Sequence, residues 1–441
     1  MKVNYFELAR TGPKEREKLC RRTGVDLKQL MVRVAPILEE VRKRGDDAVI
    51  EFTARFDGAE MRPENFRVSA DEMDGAVQSL PSDLKEAMEV SIANIRRFHE
   101  RQVEPRSWEM EISPGITAGE RIVPIPSVGL YVPRGKGSFP SMMMMSGVPA
   151  KVAGVERIAV MTPPDRNGKA DPATVAAARM IGIQEVYALG GAQAVAALAY
   201  GTETIPRVDK IVGPGSGYVL AAKQILSTEI DTGLPAGPSE AIILADDSAD
   251  PLTAVTDLLI EAEHGPDSSA YLVTTDADLA SQALDLIPRM VAALPEERAS
   301  FCTEVFKTNG GVILATDMND AVDFINQFAP EHLQILTREP LAILDKVKFA
   351  GEALLGPFTP GTLANYSIGP NAILPTSGFA RTASALSVRD FTRRMSYSIV
   401  TEEGFAELAP KTLALARYEG FAAHAGALSL RLGAGARPKK F

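Results

Sequence analysis

Lys210-Ile-Val-Gly-Pro-Gly-Ser-Gly-Tyr-Val-Leu-Ala-Ala-Lys-Gln-Ile-Leu226 is the stretch on which the architecture turns. A short apolar run ends in Gly213-Pro-Gly-Ser-Gly217, and a helical pattern opens at Tyr218. Working outward, the alternation repeats: strand-like Arg157 to Thr162, helix Pro172 to Ile181, strand Glu185 to Leu189, helix Ala192 to Tyr200. Short apolar strands recurring every ~25 residues with helices between them predict a parallel sheet covered on both faces. Glycines follow two of the strands, Gly190-Gly191 and Gly213 to Gly217. In a doubly wound sheet that edge holds the ligand, and a nucleotide is the leading occupant. Val128-Gly-Leu-Tyr-Val-Pro133 running into Arg134-Gly-Lys-Gly-Ser138 has the same strand-to-loop form. It matches neither a Walker nor a dinucleotide glycine fingerprint.

A second set of units follows Pro235-Ala-Gly-Pro-Ser-Glu240. Ala241 to Leu244, Ala270 to Thr274 and Gly311 to Leu314 read as strands, Pro251 to His264, Leu279 to Leu294 and Met318 to Asn326 as helices. Upstream, residues 13 to 56 and 81 to 100 are helical in pattern, with one helix starting at Asp46, and Met142 to Met145 read as helix packing. Residues 356 to 391 form a Gly, Pro, Ser and Thr-rich connection, a length that is usually functional or disordered. From Phe391 to Leu432 the pattern is mostly helical, ending in a long helix that carries Glu419 and His424, ~140° apart around its axis. Such a tail has little core of its own and is expected to wrap another subunit. The expected class is therefore α/β, two Rossmann-like parallel-sheet domains with helical extensions. The expected partition is an arm at 1–30, a first α/β domain at 31–127 plus 238–385, a second at 128–237, and a tail at 386–441.

The 441 residues, 45% of them hydrophobic, can bury a large core. Interspersed charges summing to −10, with no basic stripe, argue against a nucleic-acid role. Two distant cysteines, Cys20 and Cys302, exclude a disulfide framework and point to a reducing compartment. No signal or transit peptide and no membrane span are evident, so a soluble cytoplasmic protein is expected.

The densest chemistry lies in Asp257-Leu-Leu-Ile-Glu-Ala-Glu-His-Gly-Pro-Asp-Ser268. Glu261 and His264, three apart near a helix end, project from one face and could share a metal ion. A solvated pair, with His favoured by the helix dipole, is the plainer reading. In Ala329-Pro-Glu-His-Leu-Gln-Ile335, Pro330 is placed as a helix start. Glu331 and His332 would then be ordinary capping residues or an acid/base pair. His99, among arginines, reads as a surface residue without a role.

Ten motifs now stand in order: V-G-L-Y-V-P, P-A-K-V-A-G-V, G-G-A-Q-A, K-I-V-G-P-G, A-G-P-S-E, A-E-H-G-P-D-S, A-P-E-H-L, G-P-N-x-x-L-P-T, L-S-V-x-D-F and E-G-F-x-A-H. From about residue 30 to residue 432 the chain resembles the histidinol dehydrogenase family. The resemblance implies a zinc-containing, NAD-dependent homodimer with exchanged C-terminal helices, oxidising an amino alcohol in two hydride transfers. It assigns Glu261, His264, Asn365 and His424 to zinc, and Glu331 and His332 to the catalytic pair. It places Tyr131, Gln193 and Ser216 on NAD. Ser239 and Glu419 fall at substrate-contacting positions, and the zinc ligands and His332 also face substrate.

The chain departs from the family pattern in places. Glu261 stands for a usual Gln and Asn365 for a usual Asp, which moves one negative charge between ligand positions without changing the total. Ala372 stands for a histidine that meets the imidazole of histidinol, and Ser216 for a common Asn. Losing one buried polar contact is worth roughly 1–3 kcal/mol, so another small polar alcohol is the expected substrate. L-histidinol itself and a silent scaffold of the same fold are the rival readings.

Overall fold

The structure is a computed structural model in which residues 1–22, 27–134 and 137–433 are described. The loop centre at Gly135-Lys136 and the basic C-terminal tail lie outside the described residues. In chain order the strands are β1 (Tyr5–Glu7), β2 (Ser107–Ser113), β3 (Ile116–Pro124), β4 (Ser127–Tyr131), β5 (Arg157–Thr162), β6 (Glu185–Ala188) and β7 (Lys210–Val212). They continue with β8 (Glu240–Ala245), β9 (Ser269–Thr274), β10 (Gly310–Leu314), β11 (His332–Leu336), β12 (Glu352–Leu355) and β13 (Thr392–Val400).

The chain divides into two compact units, the first formed by Met1–Val103 with Ile125–Phe391. It contains two parallel sheets, ordered β6-β5-β4-β7 and β1-β10-β9-β8-β11-β12. Within each, the third, second, first and fourth strands of the local chain order lie side by side, the doubly wound arrangement. Every residue of β8 and β9 is buried, as a strand covered on both faces requires. Alternate residues feed opposite cores. Tyr131, Ala159 and Ile211 join one cluster, Leu130, Val160 and Val212 the other. Ile243 and Leu272 likewise face away from Leu244 and Val273.

The helices Leu27–Arg44 and Asp46–Asp57 pack on the helices Gly191–Tyr200 and Gly217–Leu226, beside the four-stranded sheet. Ser82–Glu100 packs on Pro140–Ala153 over its other face, with Met143, Met144 and Met145 buried. The sequence grouped these N-terminal helices with the other sheet; their apolar stripes, Val34, Leu38 and Val41 among them, find their partners here. Residues 1–30 are more than a helical arm, because β1 adds an edge strand to the six-stranded sheet.

Several sequence expectations are corrected. Glu331 and His332 do not open a helix: Ala329 caps the helix Met318–Phe328 in a left-handed conformation, and β11 begins at His332. The short run Leu333-Gln-Ile-Leu336 fits either element, and pairing with β8 and β12 decides for strand. The connection at 356–391 is ordered by the helix Gly361–Tyr366 and by Ile373, Leu374 and Leu386 in the core. His99 is fully buried, its Nδ1 2.8 Å from the Ile95 carbonyl and its Nε2 3.3 Å from the Asn371 amide. Among the described residues no helix is long and apolar enough to cross a membrane.

The second unit is Glu104–Pro124 with the chain from Thr392 onward. Its antiparallel sheet runs β13-β3-β2, so the segment after Phe391 starts as a nine-residue strand rather than a helix. The helices Glu402–Tyr418 and Ala422–Gly433 follow, separated at Gly420, whose φ is +78°. Glu419 and His424 therefore do not share one long helix. No residue of Ala422–Gly433 is buried, and Trp108, Met110, Leu415, Tyr418 and Phe421 are exposed.

Candidate active site

The helix Pro251–Ala262 delivers Glu261 at its C-terminal end, and the turn beyond it brings His264 back over the same face. Their side chains meet, His264 Nδ1 lying 3.2 Å from Glu261 Oε2 and 2.8 Å from the Ile260 carbonyl. Asn365, in the helix Gly361–Tyr366, donates from Nδ2 to Glu261 Oε1 at 3.2 Å. The Ser239 hydroxyl, just before β8, also bonds this carboxylate. From β11, His332 Nε2 comes within 3.8 Å of both Glu261 Oε1 and Glu331 Oε2. Four expected site residues, His264, Asn365, Ser239 and His332, thus converge on Glu261, at the N-terminal ends of β8 and β11.

Residues the sequence did not single out complete the cluster. Glu352, first residue of β12, lies 2.6 Å from His332 Nδ1 through Oε1. The Glu240 amide donates to Glu331 Oε2 at 2.9 Å. Glu240 itself is gripped at both oxygens by Arg22, at 2.9 and 3.0 Å, and accepts from the Ser377 amide at 2.7 Å. The available signal was an acid standing at the start of an otherwise apolar strand, as in Gly351-Glu-Ala-Leu-Leu355 and Ser239-Glu-Ala-Ile-Ile243. Such a residue has to be paired to be buried.

Crowding sets the proton affinities. Burial pushes the Glu331 carboxyl up to about 8, against the pull of His332. Burial works to lower His332, but the Glu261, Glu331 and Glu352 carboxylates outweigh it and push the imidazole up to about 10. Burial would also raise Glu261, yet His332, His264, Asn365 and Ser239 hold it below the ordinary carboxylate value. In the chain alone, His332 is therefore an imidazolium. Cancelling the charge of Glu261, the largest of the three pulls, would shift His332 toward the neutral base. A cavity of about 840 Å³ reaches His264, lined also by Ser138, Ser141, Met144, Arg298 and Tyr366.

A different set gathers at the C-terminal edge of the four-stranded sheet. Tyr131 ends β4, Gly190-Gly191 follow β6 and Gly213 follows β7. β4 and β7 are the neighbours at which the strand order reverses, the position where such sheets take ligands. The Tyr131 hydroxyl accepts from the Gly191 amide at 2.9 Å, and Gln193 Nε2 donates to Asp57 Oδ2 at 3.3 Å. Gln193 Oε1 is buried without a partner. Gly213 has φ +120° and sits so close that a Cβ would overlap the Tyr131 carbonyl oxygen. Ser216 caps the helix Gly217–Leu226 without a side-chain bond to it. Lys223, buried in that helix and pushed down to about 8 by burial, donates to the Gly213 carbonyl at 3.0 Å.

Glu419 and His424 belong to the second unit. Glu419 caps the helix Glu402–Tyr418, and His424 lies in the next helix with its ring 5.1 Å from that of Phe421. Both are exposed.

The histidinol dehydrogenase family profile matches residues 20–432. The chain belongs to the histidinol dehydrogenase family. A histidinol dehydrogenase from Synechocystis sp. is 48% identical, the match covering 97% of this chain and 99% of that one. A protein from Mesorhizobium japonicum named histidinol dehydrogenase homolog 2 is 50% identical, with 97% of each chain covered. The crystal structure of histidinol dehydrogenase from Elizabethkingia anophelis superposes with a TM-score of 0.91 at 34% identity, covering 98% of each chain. The histidinol dehydrogenase family performs NAD-linked oxidation of an alcohol through an aldehyde, and the two parallel sheets belong to its fold.

The residues present fit both groups the family implies. Among the described residues no group of three or more His, Cys, Asp or Glu is arranged to hold a metal ion. The donors that converge are mixed, a carboxylate, an imidazole and an amide, and zinc accepts oxygen and nitrogen ligands alike. His264 commits Nδ1 to the Ile260 carbonyl, so Nε2 is the ring atom a metal would take. For the dinucleotide, the orphaned Gln193 Oε1 provides an acceptor, and the helix starts at Gly191 and Gly217, neither capped by the side chain of the residue before it, provide first-turn amides. By contrast, the helices that directly follow β8, β9 and β10 are capped by Asp250, Asp276 and Asp317, which repel a phosphate.

Proposed function

We propose that this chain is a zinc-dependent, NAD-linked dehydrogenase that oxidises a small polar alcohol through a bound aldehyde to the carboxylic acid. The observation that carries the reading is the convergence of His264, Asn365, Ser239 and His332 on the Glu261 carboxylate. Glu261, His264 and Asn365 would hold zinc, with His424 as a fourth ligand supplied by a second copy of the chain. The exposed apolar side chains of the helical tail support such an exchange of helices in a homodimer. Tyr131, Gln193 and Ser216 would hold NAD, while Ser239 and Glu419 orient the substrate.

Bound zinc would supply a positive charge that lowers the proton affinity of the substrate hydroxyl. His332 takes that proton at Nε2, and bound NAD would supply the acceptor for the carbinol hydrogen. The aldehyde stays in place. Glu331, in its carboxylate form, then accepts a proton from the water that adds to the carbonyl, and a second bound NAD would take the hydride of the hydrate. The aldehyde-holding pocket needs to exclude bulk water, which suits a wall provided by the tail helices.

The substrate reading starts from Ala372. Its side chain is buried in the apolar cluster with Met145, Ile373 and Leu386, where it offers no hydrogen bond to an imidazole. Another small polar alcohol, such as a different amino alcohol or a sulfonated diol, fits this loss, and the Arg298 guanidinium beside the cavity would meet an anionic group. L-histidinol is the second reading, favoured by the 48% identical Synechocystis relative that bears its name. The two separate on a panel of alcohols assayed for NADH. The account expects two NADH per alcohol consumed and a better substrate than L-histidinol. L-histidinol as the best substrate would establish the second reading, and no NADH from any alcohol would leave only a silent scaffold.

A further inference from the structure

We propose that Glu352 is the positioning residue of this site: its carboxylate accepts the Nδ1 proton of His332 and holds the imidazole as the tautomer whose Nε2 faces the reacting groups. The proposal rests on the reading of His332 as the base and adds the group that makes it one.

The geometry comes from the backbone. His332 and Glu352 are Cα partners in the parallel register of β11 and β12, so their side chains rise from the same face. The strands are clamped just before that pair, Gly351 N donating to the Pro330 carbonyl at 2.9 Å and Glu352 N to the Glu331 carbonyl at 3.0 Å. A side chain at Gly351 would press on the Glu331 carbonyl, so the close approach there depends on glycine. The two side chains then meet at 2.6 Å, the length of a charge-assisted bond, and remain about nine-tenths buried.

What distinguishes this pair from a merely structural one is the direction of the other ring nitrogen. With Nδ1 committed to Glu352, Nε2 stands 3.8 Å from Glu261 on one side and 3.8 Å from Glu331 on the other. An imidazole whose Nδ1 keeps its proton has a lone pair at Nε2 alone. The proton from the alcohol then goes to Nε2, and the ring becomes an imidazolium whose Nδ1 proton is held by Glu352. A neutral His332 without this partner would place its single proton on either nitrogen and turn about χ2, so only a fraction of molecules would present a base.

The test compares Glu352→Gln in the wild-type and His332→Ala backgrounds of the full-length enzyme, with kcat and the KM for NAD measured separately. Gln fills the same space, but its amide can donate to Nδ1 and so favour the wrong tautomer. The expected result is a kcat lowered about ten- to a hundredfold with KM for NAD unchanged, and no further loss in the His332→Ala background. Nitrogen-15 spectra of labelled histidine supply a readout independent of turnover, and four histidines keep assignment tractable. A strongly deshielded Nδ1 proton is expected for His332 and should vanish in Glu352→Gln. Wild-type kcat in Glu352→Gln while His332→Ala is inactive overturns the positioning role alone, as does an equal fractional loss in both backgrounds. Wild-type turnover in His332→Ala overturns the base reading and the positioning role with it.

Discussion

Asp57 shows how far burial alone can set the chemistry of a side chain. Burial raises its carboxyl to about 6 from the ordinary 3.8, while Gln193 Nε2 donates to it at 3.3 Å. Because the folded value is the higher one, the folded state binds this proton more tightly than the unfolded chain does. The penalty is complete above pH 6, shrinks as pH falls through 6, and is gone below about 4. Asp57→Asn should therefore raise the melting temperature by roughly a degree or two at pH 7.5 and leave it unchanged near pH 4. An equal gain at both pH values would show that ionisation is not the cause. Asp57 was not legible as a site residue in the sequence, because nothing local marks an Asp at a helix end as facing a glutamine 136 residues away. His99 was misread for the same reason: three neighbouring arginines look like surface, whereas its burial depends on Asn371 from a distant loop.

Among the elements, those whose identity is set by local pattern were read correctly, and those set by partners were not. The glycine-ended strands β6 and β7 and the helix starting at Asp46 carry their own punctuation, and the structure has them in place. β11 and β13 do not. One follows a proline that could equally open a helix, and the other mixes arginines and serines with Met395, Tyr397, Ile399 and Val400 and becomes a strand by pairing along β3. The site depends on that second kind of element. Glu331 and His332 were legible through the A-P-E-H-L motif, but their partners Glu240 and Glu352 appear only when β8, β11 and β12 lie side by side. The N-terminal segment is tied to the same group, since Arg22 forks onto Glu240, which is 2% exposed. Arg22→Ala would leave a buried carboxylate without its cation and should lower unfolding stability by about 3 kcal/mol. Arg22→Lys should recover part of the loss, since an ammonium cannot grip both oxygens in a fork. A denaturation midpoint for Arg22→Ala that matches the wild type would mean the carboxylate is relieved in another way.

For the molecule as a whole, the first unit brings together the proposed catalytic pair and three of the four expected zinc ligands, while Glu419 and His424 reside in a unit with little core of its own. That division is what an active site shared between two chains requires, and it can be tested genetically. Removing the base should cut turnover at least about a hundredfold, and so should removing the fourth ligand, so that His332→Ala and His424→Ala are each nearly inactive. When the two variant chains are co-expressed, about half of the dimers are mixed and each mixed dimer has one intact site, joining the His332 of one chain to the His424 of the other. The direct measurement is NADH formation by the co-expressed pair. Activity near one quarter of wild type is the predicted result; activity no higher than that of either variant alone would contradict a site built from two chains.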